Sequence, residues 1–156
     1  MIRAARAGDA AEIAELWNQM IAETSDTFTT ELKTQAGIEA LIRDRPVRVA
    51  ERDGAFAGFA TFGPFRSGPG YASTVEHTIL TVPEARGTGI ARRLLSQLEA
   101  DAKDSGHHVM VAGISAENTR ALRFHAAMGY LEVARMPEVG QKWGQKLDLV
   151  LMQKIL

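Results

Sequence analysis

The segment from Thr74 to Leu95 constrains the fold more than any other part of the chain. Its first half, Thr74-Val75-Glu76-His77-Thr78-Ile79-Leu80-Thr81, is rich in β-branched residues and reads as a strand. Val75, His77 and Ile79 share one face of that strand, and Glu76, Thr78 and Leu80 share the other. Pro83 ends it, because proline has no N–H to give to a ladder. Arg86-Gly87-Thr88-Gly89 follows, a loop that can take positive φ and lets a ligand approach without meeting a Cβ. A helix beginning near Gly89 presents unpaired N–H groups and the positive end of its dipole there, which suits a pyrophosphate. Arg86 and Arg92 can add charge-assisted contacts to the same anion. The loop is not the Gly-x-Gly-x-x-Gly of a dinucleotide fold, nor does it carry the Gly-Lys-Ser/Thr of a P-loop.

With 156 residues, 46% of them hydrophobic, the chain suffices for one domain with a proper core. A net charge of −1 gives no footprint for nucleic acid or an anionic membrane, so neither partner is expected. No apolar run approaches the ~18 residues of a membrane span, and Met1-Ile2-Arg3-Ala4 leads into structure without the pattern of a signal peptide. The absence of cysteine excludes disulfides, thiolate metal sites and an acyl-cysteine intermediate, and it suits the reducing cytoplasm.

Read in order, residues 2–5 form a short edge strand, and Asp9 is placed to cap a helix over residues 10–22 with Ile13, Leu16, Trp17, Met20 and Ile21 as its apolar stripe. Trp17 reads as core. Residues 24–30 form a polar loop whose large apolar member, Phe28, is either a loop anchor or a wall of a substrate pocket. A second helix is expected over residues 31–43, stopping before Pro46. A β-meander turns at Asp53-Gly54, and residues 63–70 loop into the central strand. The central helix spans residues 89–105 and stops at Gly106. His107 and His108 have no third ligand at metal spacing, so no metal is expected. The apolar run 109–114 reads as a strand buried on both faces. A helix after Asn118, a strand over 130–135, a loop containing Pro137, Gly140 and Gly144, and a last strand over 147–154 complete the domain.

Arg86-Gly87-Thr88-Gly89-Ile90-Ala91 directly after a strand resembles the acetyl-CoA loop of the GCN5-related N-acetyltransferases (GNAT). That family's second signature, an Asn followed by a helix and Gly-aromatic, matches Asn118-Thr119-Arg120-Ala121-Leu122-Arg123-Phe124-His125-Ala126-Ala127-Met128-Gly129-Tyr130. Phe62-Gly63-Pro64-Phe65-Arg66, Thr74-Val75-Glu76-His77-Thr78 and Trp143-Gly144-Gln145-Lys146-Leu147-Asp148 narrow the resemblance to the phosphinothricin and methionine sulfone/sulfoximine N-acetyltransferases. It covers essentially the whole chain. The resemblance implies an α/β fold of the α+β kind: a twisted, mixed sheet of about six to seven strands, splayed after its central strand and flanked by about four helices. It also implies acetyl-CoA as cosubstrate, a small-molecule amine as partner, a homodimer and a role in herbicide resistance.

Carried over by motif, the backbone of Ile79, Leu80 and Thr81 would bond the pantetheine, Arg86, Gly87, Thr88, Gly89, Ile90, Ala91 and Arg92 would hold the pyrophosphate, and Asn118 would contact the pantetheine arm. Arg66, Ser67 and Gly68, with Glu76, His77 and Thr78, would line the amino-acid site. Many family members have Tyr one residue after the last helix's aromatic, as the acid that protonates the leaving thiolate; here that position is His125.

An amino acid arrives mainly as ammonium, and only its free amine attacks a thioester, so a base must take the proton. Glu76 is the candidate base, acting directly or through water. His77, on the opposite face, is either a packed core histidine or a substrate contact. The N–H of Leu80 can stabilise the oxyanion, and Arg66 can pair with the acidic group of the substrate. The reaction expected is direct transfer of acetyl to the α-amine of an amino-acid-like substrate. Two alternatives stand beside it: acetylation of a peptide or protein N-terminus or another amine, and a non-catalytic acyl-CoA sensor.

Overall fold

The computed structural model describes residues 1–156. Seven strands form one sheet: β1 (Ile2–Ala4), β2 (Val47–Arg52), β3 (Ala55–Pro64), β4 (Thr74–Thr81), β5 (Val109–Ser115), β6 (Leu131–Lys142) and β7 (Gln145–Ile155), in the spatial order β1-β2-β3-β4-β5-β7-β6. Four helices flank it: α1 (Ala10–Glu23), α2 (Gln35–Asp44), α3 (Ile90–Asp104) and α4 (Thr119–Ala127). Every neighbouring pair is antiparallel except β4 and β5, which α3 joins by a crossover.

Each face of the sheet has its own core. Ala10, Ile13, Leu16 and Ile38 from α1 and α2 pack with Val47, Val49 and Phe59 on one side. Ile90, Leu94, Leu95 and Leu98 from α3 pack with Phe62, Val75, Met110, Ile114, Tyr130 and Val150 on the other. The strand alternation thus sends Val75, His77 and Ile79 toward α3 and α4, and leaves Leu80 to pack with the α1 side.

The sheet splits in the middle. Residues 74–76 of β4 pair with residues 109–111 of β5, and the pairing then stops, although both strands continue. β3 stays bonded to β4 as far as Thr81, and β7 stays bonded to β5 as far as Ser115. Two half-sheets, each intact, therefore diverge immediately beyond Glu76 and Val111.

Three sequence expectations shift. The second helix starts at Gln35 rather than 31, because Asn18 holds Lys33 extended: its Oδ1 accepts from the Lys33 N–H at 2.7 Å and its Nδ2 donates to the Lys33 carbonyl at 2.9 Å. Thr34 then caps the helix through the Gly37 N–H. Asp9 does not cap α1 with its side chain; it accepts the Arg3 guanidinium in two bonds of 2.8 Å and the Arg6 N–H at 2.6 Å. The expected loop around Pro137 is strand, since β6 runs to Lys142. Pro137 sits in a register irregularity between Met136 and Gly140, where no ladder N–H is required of it. The turn is Trp143-Gly144, both at positive φ, as a two-residue hairpin demands.

Candidate active site

Two cavities of about 410 and 330 Å³ fill the split between β4 and β5. They share Met20, Asp26, Ile79, Leu80, Asn118, Ala121 and His125 as common walls, so they adjoin as two ends of one cleft. The first is bordered mainly by the start of α3 and by α4, the second mainly by α1 and the loop that follows it, and Met20 and Asp26 border both.

At the first end, Ile79, Leu80 and Thr81 form the strand wall, and Arg86, Gly87, Gly89, Ala91 and Arg92 form the floor. Gly87 and Gly89 have φ of +74° and +79°, and a Cβ built on either would meet nothing within 4 Å. The space above the loop is therefore open, and the N-terminus of α3 faces it with its free N–H groups. Two expected members point elsewhere: the Thr88 hydroxyl donates to the Ala85 carbonyl, and Ile90 is buried in the core. Asn118 uses Oδ1 to cap α4 through the Ala121 N–H at 3.1 Å and borders both cavities.

Glu76 stands at the crotch of the split. It is half-buried, and its carboxylate lies over Gly113 of β5, with Oε2 only 3.2 Å from where a Cβ would be. No protein hydrogen bond or salt bridge holds it; burial alone pushes its carboxyl above the ordinary carboxylate range. Glu76 does not itself line either cavity, whereas Gly113 beneath it and Thr78, two residues on, line the second one. A carboxylate so placed is free to take a proton.

His77 points to the other face. It is 8% exposed, stacked against His125 and edge-on to Tyr130. The Nδ1 of His125 lies 2.8 Å from the Ala121 carbonyl, which can only accept, so Nδ1 carries the proton and Nε2 is a lone pair. His77 must then donate from Nε2 to His125 Nε2, 2.9 Å away, which leaves His77 Nδ1 buried without a partner. Desolvation, reinforced by the charge of His125, pulls His77 down to about 3, and desolvation lowers His125 as well, so the pair is neutral. Of the two readings of His77, the packed histidine describes its ring, though its edge also forms part of the cleft wall. Both His125 nitrogens are engaged, so neither offers a proton to the cleft in this arrangement.

Phe28 and Thr78 line the second cavity. Arg66, Ser67 and Gly68 do not. They line a separate cavity with Arg45, Phe62, Tyr71 and His107, and Arg66 lies over the Tyr71 ring at 5.3 Å. The second cavity instead holds a cation absent from the sequence reading, Lys33, 4.5 Å above the Trp17 ring. Trp17, Met20, Asp26 and Thr27 were likewise missed as cleft residues. Helical periodicity marks Trp17 and Met20 only as apolar, and no motif marks the loop.

The family model for the acetyltransferase (GNAT) family matches residues 13–130. The chain is 40% identical to the L-amino acid N-acyltransferase MnaT of Escherichia coli (strain K12), over 97% of this chain and 91% of that protein. It is 38% identical to the L-methionine sulfoximine/L-methionine sulfone acetyltransferase of Salmonella typhimurium, over 97% and 92%. The structure superposes with a TM-score of 0.91 on a GNAT superfamily phosphinothricin acetyltransferase from Sinorhizobium meliloti in complex with AcCoA, at 30% identity, covering 100% of this chain and 88% of that one. The Gly87/Gly89 loop, the Asn118-capped helix, the split sheet and these likenesses converge: the chain belongs to the GNAT acetyltransferase family.

Proposed function

We propose that the protein transfers acetyl from acetyl-CoA to the α-amine of a small amino-acid-like substrate, of the methionine sulfone, methionine sulfoximine or phosphinothricin type. The observation that carries this reading is the Glu76 carboxylate, unpaired and half-buried where β4 and β5 part, beside a cleft whose far end is the Gly87/Gly89 loop. A silent acyl-CoA sensor has no use for a desolvated carboxylate at that point.

Acetyl-CoA, when bound, supplies the activated acetyl group as a thioester. The α3 N-terminus with Arg86, Gly87, Gly89 and Arg92 would hold its pyrophosphate, and the free backbone groups of Ile79 and Thr81 its pantetheine, while the Leu80 backbone is paired with Phe59. Glu76 takes the ammonium proton of the amine, directly or through one water. Leu80, expected to supply the oxyanion donor, sits in a hydrogen-bonded pair with Phe59 of β3, so a backbone N–H on the open edge, that of Ile79 or Thr81, is the group available to stabilise negative charge at the carbonyl oxygen. His125 borders both cavities at their junction, and it can serve as acid only by giving up a bond to His77 or Ala121. A thiol with a reference pKa of about 8.5 leaves without an obligatory acid, so His125 assists rather than decides. Lys33, inside the cleft, and Arg66, in the adjoining cavity, are the two cations available to the acidic group of the substrate.

We also propose a homodimer acting in the cytoplasm. Leu131, Val133, Met136, Val139 and Trp143 are all exposed along β6 and its turn, at the open edge of the sheet, and a second copy would cover them. Sedimentation should give twice the chain mass, and Trp143→Glu should shift it toward monomer.

Thiol release from acetyl-CoA, measured over methionine sulfone, methionine sulfoximine, phosphinothricin, simple amines and an N-terminal peptide, tests the activity. The amino acids should be turned over and the peptide should not. Release only with the peptide, or with nothing, would reverse the assignment.

A further inference from the structure

The loop between α1 and α2 is held from beneath by one side chain. Lys142, the last residue of β6, is 2% exposed. Its ammonium donates to the carbonyls of Ile21 at 2.7 Å, Thr24 at 2.6 Å and Thr27 at 2.8 Å, with the Thr27 hydroxyl at 3.3 Å. Three N–H donors thus meet three carbonyls, and no carboxylate makes a salt bridge with it. The carbonyls of Ile21 and Thr24 belong to the end of α1, whose dipole is negative there, so the helix terminus, with the nearby Asp26 carboxylate, compensates the charge. Two residues earlier, the Phe28 ring lies so close on Gly140 that a Cβ there would collide with it. The β6–β7 hairpin therefore grips both ends of residues 24–28. That same stretch gives Asp26, Thr27 and Phe28 to the cleft wall.

We infer that Lys142, together with Gly140, is the template that positions the 24–29 loop and so sets which amines the cleft accepts. Lys142 reaches the reaction only through the loop and is a positioning residue. The inference rests on the amine lying against that loop, as proposed above. Acetyl-CoA would be held mainly from β4 and the α3 N-terminus, where the loop contributes Asp26 alone, so the amine should respond more strongly than acetyl-CoA.

Lys142→Met keeps the length of the side chain and leaves the three carbonyls without a donor. With the amino acid that the wild type turns over best, kcat/KM for the amine should fall by up to about 10²-fold, chiefly through a higher amine KM, since displacement of a positioning element by an ångström costs that much in rate. KM for acetyl-CoA and kcat should change little. Chymotryptic cleavage after Phe28 should accelerate at the same time. Equal rises in both KM values, or a wild-type amine KM with wild-type cleavage, would overturn the template. If Lys142→Met fails to fold, Gly140→Ala carries the test, because it displaces Phe28 and leaves the Lys142 bonds in place. It should give the same split and the same faster cleavage, and an unchanged amine KM or cleavage rate there counts against the template. A wild type silent toward every amine refutes the proposed activity, and the cleavage rates still decide the template. An active wild type with unchanged variants refutes the template alone.

Discussion

Glu76 and His77 are consecutive residues that β4 sends to opposite faces, and the face decides what each can do. On the α1 side, Glu76 has lost water without gaining a partner, which is the condition of a base ready to accept a proton. Since burial raises its pKa and only the ionised form accepts a proton, kcat/KM should fall with decreasing pH through a value above the usual carboxylate range. Glu76→Gln keeps the size and hydrogen bonding of the side chain and removes the basicity. Its kcat should drop by about 10²–10⁴-fold with acetyl-CoA binding intact, and near-normal kcat with an unchanged pH profile would remove Glu76 from the mechanism. On the α4 side, the His77–His125 pair is locked neutral. The folded-state pKa of His77, near 3, lies below the ordinary 6.5, so the stability this residue contributes is present above 6.5 and is lost as pH falls toward 3. His77→Phe fills the site without a basic nitrogen. Its melting temperature should fall less steeply than that of the wild type between about pH 7 and pH 4, where a histidine ordinarily gains its proton. A parallel decline would assign the acid loss to other groups.

Among the elements, the β4–loop–α3 unit was the most legible in the sequence, because its parts are contiguous and each has a local cause. Alternation gives the strand, Pro83 its end, and Gly87 and Gly89 the positive φ before α3. Gly89→Glu puts a side chain and a negative charge into the open space above the loop. Calorimetry on the folded variant should show a large loss of acetyl-CoA affinity, and wild-type affinity would sink the assignment. The start of α2 and the length of β6 were not legible. The first depends on Asn18 acting as a strand partner for Lys33, 15 residues away in the chain, and the second on a proline hidden in a register irregularity. Such long-range partners leave no mark in a local pattern.

For the molecule as a whole, the difference between the two halves of the cleft follows the same logic. The half proposed for acetyl-CoA is built from two signatures around Gly87 and Asn118, both visible in the sequence. The half proposed for the acceptor is assembled by tertiary contact, from α1, the 24–29 loop, Lys33 and the end of β5; of the substrate residues named from the sequence, Phe28, His77 and Thr78 line it and Glu76 stands beside it over Gly113. Arg66, expected there, lines a neighbouring cavity because the β3–β4 loop folds it onto Tyr71. In the proposed reaction the two adjoining ends of the cleft would take the donor beside the start of α3 and the amine beside α1, so that both are bound at once. The chain also has no cysteine to carry an acyl group between them. Initial rates with acetyl-CoA and the amine varied together test this directly. The account predicts double-reciprocal lines that intersect and no thiol release until amine is added. Parallel lines, with a burst of thiol released by acetyl-CoA alone, would contradict it.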